Sequence, residues 1–345
     1  MDESVITINS GKINEYLHHI DLKGFGTTRM LSAILGVFDD YSILIDCGSS
    51  LDIKKALRYF KRHQIPLSSF KYLITSHHHA DHNGGMWKLY EEIKKYNPQV
   101  KILTNDTTKA LFNDYDHHLN RGKRTYGNLI GDMNPIEDKA FKIIEPIKNF
   151  NSDISMLDPI DSFTINESEI KLSILKTPGH TPDHQSPIFI KNGNIDFIFL
   201  GEAAGTLYHK SKLLTMPTSM PIYYNHEDYM ETLDKLANLY PLKAGFGHFG
   251  VVNGKENVRE TLLEHQSFMK KFKSSIITYY DEKPTTKYVL EKIMPILTLR
   301  TDLSIEKNSV FKSVALGIVY GMMLSLGLRN TLSDEEKEYI AKYNQ

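Results

Sequence analysis

Hydrophobic and polar positions change rhythm twice along the chain. Up to about residue 104, short apolar runs alternate with amphipathic stretches. Residues 4–7 are short and β-branched, and residues 30–37 (MLSAILGV) and 41–45 (YSILI) flank Phe38-Asp39-Asp40 as the arms of a hairpin. Residues 52–63 carry Ile53, Ala56, Leu57 and Phe60 at helical spacing. Residues 70–75 form a buried-type strand, 85–96 a helix ended near Asn97-Pro98, and 100–104 another strand. From about 107 to 155 the chain is polar, with helical patterning at 107–119 and 137–147, and reads as a partly helical insertion. Strands return at 162–165, 170–176, 188–190, 195–200 and 244–246, with a helix at 230–239. After residue 254 only helical patterns remain, at 258–280, 287–293 and 309–326, with a last helix starting from Ser333 as its N-cap. Such alternation predicts a layered α/β (α+β) architecture. Residues 1–254 form its main domain and 255–345 a helical C-terminal region.

Composition narrows the classes. Lys+Arg total 41 against Asp+Glu 42, a net charge of −1, so no global electrostatic footprint of a nucleic-acid binder is present. The single cysteine, Cys47, excludes an internal disulfide and speaks against a thiolate-rich metal site. MDESVITINS lacks the basic and apolar regions of a secretory leader, and residues 314–328 are too short to span a bilayer comfortably. A cytoplasmic protein acting on a small molecule, away from membranes and nucleic acid, is the expectation; a homodimer is left open.

The chemistry concentrates in Thr75-Ser76-His77-His78-His79-Ala80-Asp81-His82-Asn83-Gly84-Gly85, directly after an apolar strand. The carboxyl end of a strand is where α/β proteins place their sites. Imidazoles with a carboxylate suit Zn²⁺, Fe or Mn²⁺. A solvated polar loop is the competing reading, but this run is internal, contains an acid and leads into Gly-Gly and a helix.

This run resembles the H-x-H-x-D-H signature of the metallo-β-lactamase superfamily, with His77, His79, Asp81 and His82 in the fixed places. Four further segments match that family in order. They are Asp46 in Ile45-Asp46-Cys47-Gly48, His180 in Thr177-Pro178-Gly179-His180-Thr181, Glu202 in Leu200-Gly201-Glu202, and His248 in Gly247-His248-Phe249-Gly250. The resemblance implies a four-layer αββα sandwich with metals at one edge. It assigns His77, His79 and His180 to one ion, Asp81, His82 and His248 to a second, and residue 202 to the bridge. Asp46 would orient a ligand histidine, a role compatible with a plain turn aspartate. Glu202 departs from the family's usual aspartate, which leaves three readings open: a bridge from a shifted backbone, a ligand to one ion, or no ligand.

The implied activity is that of a glyoxalase-II-like or lactamase-B-like hydrolase using a hydroxide shared by two divalent ions, zinc first and iron or manganese as alternatives. The bond would be ester-like: a thioester, lactone or phosphodiester. Asp81 and His184 are the catalytic candidates, and His118, Arg121, Tyr126 and Tyr223 the candidate substrate contacts. Two other readings stand beside it: an iron-dependent redox enzyme such as a persulfide dioxygenase, and a non-enzymatic metal-dependent sensor.

Overall fold

The computed structural model describes residues 4–303, 309–329 and 336–337. Its strands are β1 (Ile6–Thr7), β2 (Gly11–Lys12), β3 (Leu17–Asp21), β4 (Ser32–Val37), β5 (Ser42–Ile45), β6 (Phe70–Ile74), β7 (Lys101–Thr104), β8 (Phe141–Ile143), β9 (Asp161–Ile165), β10 (Ser168–Lys176), β11 (Gln185–Lys191), β12 (Asn194–Gly201), β13 (Lys243–Phe246) and β14 (Val251–Asn253). They form two seven-stranded sheets among the described residues, in the orders β2-β3-β4-β5-β6-β7-β8 and β1-β14-β13-β12-β11-β10-β9. The helices are α1 (Ile53–Arg62), α2 (Ala80–Asn83), α3 (Met86–Lys94), α4 (Asp106–Asn113), α5 (Tyr115–Tyr126), α6 (His226–Ala237), α7 (Lys255–Glu282), α8 (Thr286–Thr298) and α9 (Ser309–Ser325).

Three apolar interfaces stack these elements into the αββα order. Between the sheets, Ile34, Ile43, Ile45 and Ile74 of the first meet Ile170, Leu172, Phe189 and Phe197 of the second. The first sheet's other face turns Leu35, Leu44 and Leu73 to Ile53 and Phe60 of α1 and Met86, Leu89 and Ile93 of α3. Spacings of three and four residues put those side chains on one helical face. Across the second sheet, Ile188 and Ile198 share a core with Leu233 of α6, Leu262 and Phe272 of α7, Ile293 of α8 and Val319 and Met322 of α9. Each such fully buried aliphatic side chain contributes about 1.5–3 kcal/mol relative to exposure. No helix among the described residues is long and apolar enough to cross a membrane.

Several expectations are corrected. The helix expected at 137–147 is a short turn, Asp138–Ala140, followed by β8, which pairs in parallel with β7 through Ile102 and Phe141. An available sheet edge outweighs local helix preference there. The helix expected at 107–119 is two helices, divided where Asp114 leaves helical backbone at φ −95°, ψ 45°. Strands β2, β3 and β14 went unread, β3 because its Leu-His-His-Ile-Asp sequence hides two buried histidines. Ser333, the expected N-cap of a last helix, lies outside the described residues.

Candidate metal centre

Five strands end at one edge of the sandwich, and each delivers part of a single cluster. Asp46 follows β5, His77 and His79 follow β6, His180 follows β10, Glu202 follows β12 and His248 follows β13. Asp81 and His82 sit in α2, immediately beyond the β6 loop. The potential ligand atoms of His77, His79, His180 and Glu202 lie within 4.8 Å of one another, as do those of Asp81, His82 and His248. These are the two groups that the family resemblance assigns to two ions.

Glu202 lies between the groups. Its Oε2 is 2.8 Å from His180 Nε2, 3.2 Å from His82 Nε2, 3.4 Å from His77 Nε2 and 3.8 Å from His79 Nδ1, while Oε1 is 4.0 Å from His248 Nε2. One carboxylate therefore reaches donors of both groups, so glutamate's extra methylene still places it centrally. Gly201 permits this approach. Its φ is 54°, and a Cβ there would stand 2.6 Å from His184 Nε2.

The tautomers explain why the cluster fits cations. The Nδ1–H of His180 donates to the Thr218 carbonyl (2.6 Å), and that of His248 to the Met30 carbonyl (2.6 Å). A carbonyl only accepts, so the proton sits on Nδ1 of each ring, and the tautomer this selects turns an Nε2 lone pair into the cluster. Ser76 Oγ donates to Asp46 Oδ2 (2.6 Å) and accepts from His77 Nδ1–H (2.9 Å). His77 Nε2 is consequently a lone pair as well, and it is fully buried without a hydrogen-bond partner. Lone pairs converging on one buried space are stabilised by a cation, not by one another.

Electrostatics agree. Burial holds His77 well below the usual histidine range, with His82 adding repulsion. Burial likewise lowers His79, to about 4. Burial also opposes charge on His82, yet Asp81, Asp46 and Glu202 together raise it well above its ordinary value. Glu202 feels burial in the upward direction, but His180 and the neighbouring imidazoles pull its carboxyl well below the usual range. Imidazoles kept from charging by burial, set beside the carboxylates of Asp81 and Glu202, make a donor set that fits metal ions in two groups.

Asp46 is wholly buried and accepts from Ser76 N–H (2.7 Å), Ser76 Oγ–H and Asn83 Nδ2 (2.8 Å), with His82 Nδ1 3.3 Å away. It thus steadies His77 through Ser76 and approaches His82 directly. Ser76, Thr218 and Met30 were not foreseen: two act through backbone carbonyls, which every residue possesses, and Ser76 occupies a place with no distinctive sequence signal.

His184 stands behind the cluster rather than facing the cavity. It is fully buried; its Nε2 accepts from Glu202 N–H (3.1 Å), and Nδ1–H donates to Thr177 Oγ1 (2.8 Å). It does not line the cavity and lies under the Glu202 backbone instead. Asp81 does border the cavity. There burial acts upward, but His82 and His248 lower its carboxyl to about 2. His118, Arg121, Tyr126 and Tyr223 all line that cavity, of about 310 Å³, which opens onto His79, Asp81, Glu202 and His248. A further pair was also unforeseen. His78 Nδ1–H donates to Asp183 Oδ1 (2.8 Å), and Asp183 Oδ2 accepts from Thr108 Oγ1 (2.8 Å), so the motif's variable histidine is locked beside the site.

Comparison with known proteins agrees with this geometry. The family model described as metallo-beta-lactamase superfamily matches residues 31–248. A metallo-beta-lactamase fold-containing protein of Sulfurisphaera tokodaii is 24% identical over 203 residues, covering 58% of this chain and 69% of its own. A probable metallo-hydrolase of Bacillus subtilis is 21% identical over 266 residues, covering 74% and 78%. The solved structure of an archaeal metallo-beta-lactamase superfamily protein from Sulfolobus tokodaii superposes with a TM-score of 0.61 at 18% identity, over 90% of this chain and 98% of that one. Because the family model covers residues 31–248, from β4 to His248, the chain belongs to the metallo-beta-lactamase superfamily.

Proposed function

We propose that this protein is a metal-dependent hydrolase that cleaves an ester-like bond in a small molecule. The observation that carries the reading is the convergence of His77, His180 and His248 lone pairs around the Glu202 carboxylate, at the floor of a cavity large enough for a substrate. When bound, two divalent ions, zinc for preference, supply Lewis acidity and bring the pKa of a water towards ~7. The protein's own groups prepare the place. Met30 and Thr218 carbonyls fix two tautomers, Asp46 and Ser76 fix a third, and His184 holds the backbone of Glu202. Asp81 places a carboxylate at the cavity wall, its pKa held low by His82 and His248. His78, locked by Asp183, and His118 present polar edges to the same space.

The probable metallo-hydrolase of Bacillus subtilis points the same way by its description. A panel of thioesters, lactones, carboxylic esters, phosphodiesters and glutathione persulfide tests the reading. Metal-dependent turnover of an ester-like substrate, abolished by His79→Ala, is expected. Oxygen consumption with the persulfide and no hydrolysis of any ester would replace this reading with the dioxygenase one.

A further inference from the structure

The helix α9 looks from the sequence like an appendix, yet it forms a wall of the cavity. Phe311, Val314 and Ile318 lie at spacings of three and four residues, so they make one stripe, and all three line the cavity that Asp81, Glu202 and His248 also border. Met220 faces the same space. The helix is fitted there by its glycines. A Cβ at Gly321 would lie 2.0 Å from the Ser219 carbonyl oxygen, and one at Gly317 would lie 2.8 Å from Met220 Cε. Absence of side chains at these two places lets α9 press against residues 219–221. Ser219 Oγ–H then donates to the Ile318 carbonyl (2.7 Å), and the preceding residue, Thr218, is the one whose carbonyl holds His180. The apolar wall and the candidate ligands are thus parts of one built unit.

We propose that this wall is an acyl-binding surface, and that the substrate is an ester or thioester of an apolar acyl chain several carbons long. This rests on the hydrolase reading for the bond that is cleaved. The scissile carbonyl lies at the edge formed by Asp81, Glu202 and His248, and the chain lies along Phe311, Val314, Ile318 and Met220. Water adds to the acyl carbon, the bond to the leaving oxygen or sulfur breaks, and that atom departs with one of the water's protons, the other being released to solvent. The products are a carboxylate and an alcohol or thiol. An apolar stripe and a pliable methionine recognise length and apolarity and disfavour a charged or hydroxylated acyl group, which would lose its hydration there.

Two measurements test the proposal independently. The first is the binding of saturated fatty acids of two to twelve carbons to the metal-loaded protein, by calorimetry. The second is kcat/KM for the matching p-nitrophenyl esters. Affinity and kcat/KM should rise with chain length, by up to about fourfold per methylene until the wall is covered. The ratio of kcat/KM for the decanoyl over the acetyl ester should fall at least tenfold in Val314→Phe, which fills the cavity, and rise in Val314→Ala, which enlarges it. Opposite shifts in two variants are not produced by misfolding. Length-dependent binding without hydrolysis of any ester would uphold the acyl surface and refute the hydrolase reading. Hydrolysis and binding that are both indifferent to chain length, or Val314 variants with the wild-type profile, would overturn the acyl surface while leaving the hydrolase reading intact.

Discussion

His265 on α7 provides a quantitative test of how the C-terminal helices are joined to the candidate metal centre. It is fully buried; its Nδ1 is 2.7 Å from Thr215 Oγ1 and its Nε2 2.8 Å from Tyr229 Oη. Tyr229 in turn accepts from Thr218 Oγ1 (3.1 Å), the residue that also holds His180. Burial, reinforced by the charge of Arg300, pushes His265 from 6.5 down to about 3. The native state therefore keeps this imidazole neutral while the unfolded chain protonates it. Below its unfolded value the unfolded state binds more protons. The stability present above pH ~6.5 is accordingly lost as pH falls towards ~3. At pH ~5 the loss from this one residue is about 2 kcal/mol. Urea unfolding in the presence of chelator, so that metal release makes no contribution, measures it. The wild-type protein should lose about 2 kcal/mol more than His265→Gln between pH ~7 and ~5. At pH ~7 the variant should itself be less stable by about 1–3 kcal/mol, because Thr215 and Tyr229 lose a partner in a buried place. Identical pH dependence in the two proteins would refute a neutral, buried His265 and the linkage built on it.

Two further outcomes follow from the same structure. Asp46→Asn keeps the shape of the side chain but removes the charge beside Ser76 and His82; competitive chelator titration should show metal affinity lowered about 10–100-fold. Gly321→Ala places a Cβ against the Ser219 carbonyl. It should cost about 1–3 kcal/mol in urea unfolding and, through Ser219 and Thr218, weaken metal binding as well, whereas Ser313→Ala on the same helix should leave affinity unchanged.

The sequence was most legible where one chemistry had to be written in side chains. The histidine run after β6, His180, Glu202 and His248 are polar residues at the ends of apolar strands, a contrast that needs no structure to notice. The four residues suggested as substrate contacts do line one cavity: His118, Arg121 and Tyr126 reach it from α5 in the insertion between β7 and β8, and Tyr223 from the segment between β12 and α6. Other features depend on distant partners and leave no local trace. The carbonyls of Met30 and Thr218 orient two histidines, but any residue has a carbonyl. Strand β8 exists only because the edge of β7 awaits it. His184 has the same spacing from His180 whether it faces a substrate or Glu202; the close packing of Gly201 on its ring places it behind Glu202. The role of α9 was least legible, since an apolar helix with two glycines at a four-residue spacing reads equally as core until the chain beneath it is seen.

We propose that seven side chains hold two ions across Glu202. The most direct measurement is the metal content of protein purified without added metal, together with that of His180→Ala and His248→Ala. Two equivalents are expected in the wild-type chain and a loss of about one in each variant, with secondary structure retained by circular dichroism. Wild-type stoichiometry in both variants, or metal-free protein that takes up no ion when zinc, iron or manganese is supplied, would contradict it.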